Sequence, residues 1–229
     1  MLEIYAIKID QGKHVSDFER LLGYVDSDKQ VSIKRFRMID DANRALFGNL
    51  LIRYLICKKI GIRNEDIHFE KNEFGKPYLL NNVDFHFNIS HSGGWIVCAT
   101  DSMPVGIDVE TIKTVDLKLA ERFFSKIEFS FISSKKEADR LDHFIEIWTL
   151  KESYIKACGK GLSIPLDSFA IKIDSNNILI ETENELKECF FKRYHIDNGY
   201  KMAVCSLQSI FPENVAIVSV DELSGFFSF

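Results

Sequence analysis

No stretch of this sequence approaches the roughly 20 consecutive apolar residues that a membrane-spanning helix needs. Cysteine is unpatterned: Cys57, Cys98, Cys158, Cys189 and Cys205 are odd in number and widely scattered. They form no C-x-x-C pair and have no histidine beside them at metal-ligand spacing, so a reducing cytoplasm fits this usage. A basic excess is also missing. The 29 Lys and Arg are outnumbered by 34 Asp and Glu, for a net charge of −5. This argues against a general nucleic-acid binder, because affinity for phosphate backbones comes from clustered cations. One phosphorylated small ligand is still admissible, since a local pocket can be basic on an acidic protein. The opening residues, Met1 to Lys8, alternate like a strand and lack the basic start and apolar run of a secretion signal.

What is present is ample core material. Of 229 residues 46% are hydrophobic, 19 of them Phe, while 28% are charged, a balance that predicts an ordered globular protein of one large domain or two small, closely packed ones. Asp40-Asp41 is placed to cap a helix whose apolar positions Leu46, Leu50, Leu51, Tyr54 and Leu55 keep helical spacing up to Gly61. Glu73 to Tyr78 reads as a turn, and the runs Val83–Ile89 and Trp95–Thr100 as a hairpin around Ser90-His91-Ser92-Gly93-Gly94. The second half repeats that order, with a helix through Trp148 to Cys158, a turn at Gly159-Lys160-Gly161, strands and a last hairpin. Phe191–Cys205 echoes Phe87–Cys98. Pro104 resists both helix and central strand and marks a boundary, giving halves 1–104 and 105–229 with a ligand cleft expected between them.

Just past that boundary, Val105-Gly106-Ile107-Asp108-Val109-Glu110 alternates apolar with acidic residues. On a strand, positions two apart share a face, so Asp108 and Glu110 lie side by side. Two adjacent carboxylates repel, and a divalent cation held by oxygen ligands is the simplest way to keep both ionised. Alone, the segment reads sooner as a solvated edge strand carrying two surface acids. A helical pattern begins near His143 and is stopped by Gly159; within it Trp148, Glu152 and Lys156 are spaced by four and form one stripe. Glu152 and Lys156 have the spacing of an ordinary surface ion pair, but Trp148 beside them points to a partly buried wall, where charges need partners or a task.

The pair Gly106-Ile107-Asp108 and, about 40 residues on, Trp148-x-x-Lys151-Glu152-Ser153-x-x-Lys156 resembles the two-part signature of the 4′-phosphopantetheinyl transferase superfamily. Phe74-Gly75-Lys76-Pro77, His86 to Gly93 and Gly159 to Ser163 resemble its surfactin-synthetase-activating (Sfp-type) branch. The resemblance implies an α+β fold of two similar subdomains related by pseudo-two-fold symmetry, each a small, mainly antiparallel sheet packed with a long helix. It implies a monomeric enzyme that moves phosphopantetheine from coenzyme A to a serine of an apo carrier protein, releasing adenosine 3′,5′-bisphosphate. Peptidyl, acyl and polyketide carriers, including those of nonribosomal peptide synthesis, are all admissible clients. A coenzyme A or carrier-binding regulator of the same fold, without turnover, is the alternative.

By matching positions, the resemblance assigns Asp108, Glu110 and Glu152 to Mg²⁺ or Mn²⁺ and Lys156 to the phosphates. Glu152 takes the serine proton, directly or through a metal-bound water. Lys29, Arg44, the turn Phe74-Gly75-Lys76-Pro77, and Ser90-His91 map to the nucleotide end of coenzyme A, with Lys76 and His91 meeting phosphate and Gly75 allowing close backbone approach. The chain departs from the pattern at Ser32, Ala45 and Phe74, where polar contacts to the 3′-phosphate end are lost. Some of Ile112, Leu117, Leu119, Phe123 and Phe124 are candidates for an exposed apolar groove for a carrier helix, although such residues are more often core; a capping box follows at Ser125-Lys126-Ile127-Glu128.

Overall fold

The computed structural model of the protein describes residues 1–12, 15, 17–116, 118–174 and 177–228. The chain runs through one strand, three helices, a two-stranded ribbon and a hairpin, and then does so again. The first pass comprises β1 (Glu3–Lys8), α1 (Phe18–Leu22), α2 (Ser27–Lys34), α3 (Ile39–Ile60), the ribbon β2 (Phe69–Lys71) and β3 (Pro77–Leu79), and the hairpin β4 (His86–Ser92) and β5 (Trp95–Asp101). The second comprises β6 (Val105–Thr111), α4 (Lys118–Phe123), α5 (Lys126–Ser133), α6 (Glu137–Cys158), the ribbon β7 (Phe169–Asp174) and β8 (Asn177–Thr182), and the hairpin β9 (Phe190–Tyr194) and β10 (Tyr200–Ser206). β11 (Ala216–Ile217) and α7 (Val220–Phe226) follow.

Each pass builds a sheet of the same order, β1-β5-β4 and β6-β10-β9, antiparallel throughout. β11 adds to the free edge of β1 in parallel, and α7 lies on α3 through a Tyr54 hydroxyl donating to Glu222 at 2.6 Å. The class is α+β. The element order extends the hairpin echo seen in the sequence into a repeat of the whole arrangement.

Strand periodicity explains the layers. On β1 and β5, Ile7, Ile96 and Cys98 pack under α3, while Ile4, Ala6, Trp95, Val97 and Ala99 face the second sheet, so every residue of β5 is buried. Val105, Ile107, Val109, Met202 and Val204 of the second sheet meet them, and Ala203 and Cys205 turn the other way, toward α6. The order is helix, sheet, sheet, helix, with one apolar core shared between the two sheets. Among the described residues no helix is long and apolar enough to cross a membrane.

Several boundaries differ from the sequence reading. α3 is capped by the backbone at Met38, without a side-chain cap. Asp40 and Asp41 sit in its first turn, where the helix dipole favours them, and Asp40 Oδ1 accepts the Gly12 N–H at 2.7 Å. β4 starts at His86 and includes Ser90 to Ser92, so the turn is only Gly93-Gly94. α6 begins at Glu137, six residues before His143, because that lead-in consists mostly of good helix formers.

The capping box at α5 is present, and Glu128 does more than cap. Its buried carboxylate accepts two hydrogen bonds from Lys151 Nζ, at 2.7 and 2.8 Å, and one from the Ile171 N–H at 2.7 Å. Lys151, fully buried, gives a further hydrogen bond to the Phe169 carbonyl at 2.7 Å. One ion pair thereby ties α5, α6 and β7 together. Removing one partner of such a pair strands the other charge, so Glu128→Ala is expected to lose about 3–5 kcal/mol of stability in urea denaturation.

Candidate active site

Side chains alternate along β6, so the inward turn of Val105, Ile107 and Val109 puts Gly106, Asp108 and Glu110 on the α6 side. Gly106 permits the contact. A Cβ there would lie 1.9 Å from the Ser153 carbonyl oxygen and 2.4 Å from the Ala157 nitrogen, so strand and helix touch backbone to backbone. Two residues on, Asp108 therefore reaches Lys156, whose Nζ donates to Asp108 Oδ1 at 2.6 Å and to Ser90 Oγ at 2.8 Å.

The far wall is β4, which lies in the other sheet but runs beside β6. Asn88, Ser90 and Ser92 take the place of a backbone ladder. Asn88 Oδ1 accepts the Ile107 N–H at 2.8 Å, the Ser90 hydroxyl donates to Asp108 Oδ1 at 2.8 Å, and the Ser92 hydroxyl donates to Glu110 Oε2 at 2.8 Å while accepting the Thr111 N–H at 3.1 Å. Between the walls is an open cleft of about 320 Å³, lined by Ile89, Ser90, His91, Asp108, Glu110, Trp148, Glu152 and Lys156. The stripe read from the sequence thus faces the acidic strand across one space. Trp148 is held there by stacking on Phe144, with centroids 6.1 Å apart and planes at 17°.

Three carboxylates and one ammonium share this cleft. Burial, then the nearby charges of Asp108 and Glu110, raise the Glu152 pKa against the pull of Lys156. Glu110 is raised by burial and by Asp108. Among the described residues Asp108 Oδ2 is buried with no hydrogen-bond partner. No group of three His, Cys, Asp or Glu side chains among the described residues is disposed to ligate a metal ion as the side chains stand, and Lys156 pairs with Asp108 Oδ1. A surplus of buried negative charge and one orphaned oxygen nonetheless fit an oxygen-liganded divalent cation, which would neutralise the one and coordinate the other.

The remaining residues expected from the sequence are placed unequally. His91 reaches the cleft from β4, and desolvation by its walls, with the Arg44 and Lys156 charges, lowers its pKa. Arg44 on α3 stands behind it, donating to the Gly93 carbonyl at 2.9 Å and to Asp41 at 2.5 Å. Lys29 on α2 is half-buried outside the cleft lining, with a pKa lowered by burial and by Lys71. Two neighbouring ammonium groups favour an anion, and Lys71 was not singled out in the sequence. Phe74 is exposed, and Gly75, with φ +89° and open space where a Cβ would stand, is a glycine because of its backbone conformation. Pro77 opens β3.

Lys76 has protein partners that the sequence did not indicate. Its ammonium donates to the carbonyls of Lys156 at 2.6 Å, Val105 at 3.1 Å and Ala157 at 3.4 Å. The expected apolar groove is also reduced. Phe124 is core, Ile112 and Phe123 are half-buried against it, Leu119 is exposed, and Leu117 lies outside the described residues.

Acidic strand and helix stripe thus converge on one cleft between the two repeats of the element order. The family described as 4′-phosphopantetheinyl transferase, N-terminal, matches residues 13–103, and the 4′-phosphopantetheinyl transferase superfamily matches residues 104–205. The 4′-phosphopantetheinyl transferase Sfp of Bacillus subtilis is 41% identical over 97% of this chain and 100% of that relative. The transferase gsp of Aneurinibacillus migulanus is 40% identical over 99% of this chain and 95% of its own length. The holo-[acyl-carrier-protein] synthase of Thermotoga maritima aligns with a TM-score of 0.39 at 21% identity, covering 45% of this chain and 61% of that one. The chain belongs to the 4′-phosphopantetheinyl transferase superfamily. The full-length matches place it in the Sfp-type branch.

Because Gly106 sets how close β6 comes to α6, Gly106→Ala is expected to lower stability by about 1–3 kcal/mol in urea denaturation, the usual cost of overpacking. The same shift parts Asp108 from Lys156, so transfer activity falls with it.

Proposed function

We propose that the protein transfers 4′-phosphopantetheine from coenzyme A to a serine hydroxyl of an apo carrier protein, peptidyl, acyl or polyketide, and releases adenosine 3′,5′-bisphosphate. The observation that carries this reading is the convergence of Asp108, Glu110, Glu152 and Lys156 on one cleft between the halves. In the reaction the serine oxygen bonds to the β-phosphorus of coenzyme A, the bridging bond to the α-phosphate oxygen breaks, and the serine proton must be taken up. Such a transfer asks a protein mainly for alignment and for neutralisation of phosphate charge.

Glu152 takes up the serine proton, directly or through a metal-bound water. Its side chain makes no hydrogen bond among the described residues, and in the metal-free cleft burial and the nearby Asp108 charge raise its pKa. Lys156 places an ammonium where negative charge accumulates on the departing bisphosphate, and Ser90 and Asp108 fix its direction. Asp108, Glu110 and Glu152 would hold Mg²⁺ or Mn²⁺, which when bound would supply Lewis-acid neutralisation of the pyrophosphate. His91 borders the cleft on the side of the first half with Arg44 behind it, and Lys29 with Lys71 forms a second cationic point for the 3′-phosphate end.

Residues 1–104 accordingly supply nucleotide contacts and residues 105–229 the acidic site and the carrier contacts. Both walls come from one chain, so a monomer suffices. The five free thiols suit the reducing cytoplasm.

Intact mass spectrometry of an apo peptidyl carrier protein incubated with the protein, coenzyme A and Mg²⁺ is expected to show the gain of one phosphopantetheine, absent with EDTA or when the carrier serine is replaced by alanine. No gain on peptidyl or acyl carriers, with coenzyme A nonetheless bound, overturns the transferase reading in favour of a regulator. Glu152→Ala is expected to abolish transfer in a folded protein. Because burial and like charge raise the pKa of Glu110 and Glu152, these carboxylates hold their protons more readily than ordinary glutamates in acidic solution. Mg²⁺ binding there is expected to release protons, seen calorimetrically as a heat that depends on the buffer, and to release fewer at neutral pH.

A further inference from the structure

The turn between β2 and β3 belongs to the first half, yet it closes on the last turn of α6 in the second. A helix end leaves its final carbonyls without partners, and cations favour that end of the dipole. α6 ends at Gly159, which adopts φ +71°, and two side chains from the turn take up the exposed carbonyls. Asn72 Nδ2 donates to the Gly159 carbonyl at 2.8 Å, while its Oδ1 accepts the N–H groups of Phe74 at 3.0 Å and Lys76 at 2.9 Å, shaping the turn around itself. Lys76 then passes close by: a Cβ on Gly159 would lie 3.0 Å from Lys76 Cδ, so the glycine leaves room for the lysine stem.

The three acceptors of Lys76 are the carbonyls of Lys156, Ala157 and Val105. An ammonium has three donors, so none is left for a phosphate. The bonds join the residue that carries the catalytic ammonium, its neighbour, and the first residue of the strand that carries Asp108.

We propose that the Lys76 side chain is a positioning group for the transfer reaction, clamping the end of α6 to the start of β6 so that Lys156 stays on Asp108, and that its ammonium is not a phosphate ligand. The inference rests on the transferase reading for its effect on rate, but the clamp itself is a property of the fold. Burial brings the Lys76 pKa down to about 8. The groups facing it do not titrate there: burial pushes the Cys158 thiol up to about 11 and Cys205 well above its ordinary value, and His86 is lowered by burial and by Lys76 itself. As pH rises through about 8 the amine loses its charge and one donor, and the clamp weakens.

The test is Lys76→Met, which keeps the stem and removes the donors. With saturating coenzyme A and apo carrier, kcat is expected to fall about ten- to hundred-fold, the scale of a misplaced catalytic group, while the calorimetric Kd for coenzyme A stays within about two-fold. The wild-type kcat declines above about pH 8 and the variant lacks that limb. A coenzyme A Kd raised about ten-fold or more, with kcat unchanged, overturns the proposal and makes Lys76 a phosphate ligand. Hydrogen exchange of residues 155–159 reports on the clamp without reference to activity. It is expected to quicken in the variant, and unchanged exchange sinks the clamp even if the wild type proves an active transferase. If the wild type binds coenzyme A but modifies no carrier while exchange quickens as expected, it is the transferase reading that fails. Should Lys76→Met not fold, Asn72→Ala detaches the same turn and removes no charge. It is expected to speed the same exchange and lower kcat about three-fold at unchanged Kd, and wild-type behaviour in both overturns the proposal.

Discussion

A β-strand and an α-helix normally pack with a layer of side chains between them. At Gly106 that layer is missing, and β6 rests on the backbone of Ser153, Lys156 and Ala157. The short Asp108–Lys156 bond exists because of this approach. The same approach sets the width of the cleft between the helix stripe and the acidic strand, and it requires glycine at one position only. The shared apolar core presses β6 from behind through Ile107 and Val109, so the contact is loaded from both sides.

The second constraint is electrostatic. Asp108, Glu110 and Glu152 repel one another in a partly desolvated cleft, and Lys156 offsets only part of that charge. The hydroxyls of Ser90 and Ser92 each hold one carboxylate while also joining two strands of different sheets, so the groups that orient the acids are the ones that seal the seam. Buried polar atoms demand partners, and Asp108 Oδ2 lacks one among the described residues.

The elements that the sequence made legible were those governed by local periodicity. Alternation placed Asp108 and Glu110 on one face, and spacing by four placed Trp148, Glu152 and Lys156 on one stripe; both arrangements hold in the fold. The glycines ending the two long helices were equally readable, since both take the left-handed conformation. What stayed hidden depends on neighbours distant in sequence. Asn88 and Ser92 follow period two, but nothing local says that their partner is the edge of β6. Lys76 looks like a solvent-facing turn lysine until the end of α6 is placed beside it. Phe124 and Leu119 are both apolar and only the packing of α5 and α6 decides that one is core and the other exposed. The start of α6 was missed because its first turns carry few apolar residues to mark a period.

β1 has a different significance during synthesis. Its antiparallel neighbour β5 is made early, but its other edge is covered by Ala216 and Ile217, which pair with Tyr5 and Ala6 across almost the whole chain. Until the ribosome has passed those residues, β1 presents open hydrogen-bonding groups beside an apolar strand, the arrangement that invites pairing with other chains. A contact this distant in sequence forms late and slowly. The two-residue strand β11 therefore acts as a closing stitch, and a nascent or clipped chain that lacks it carries an aggregation-prone edge into the cell.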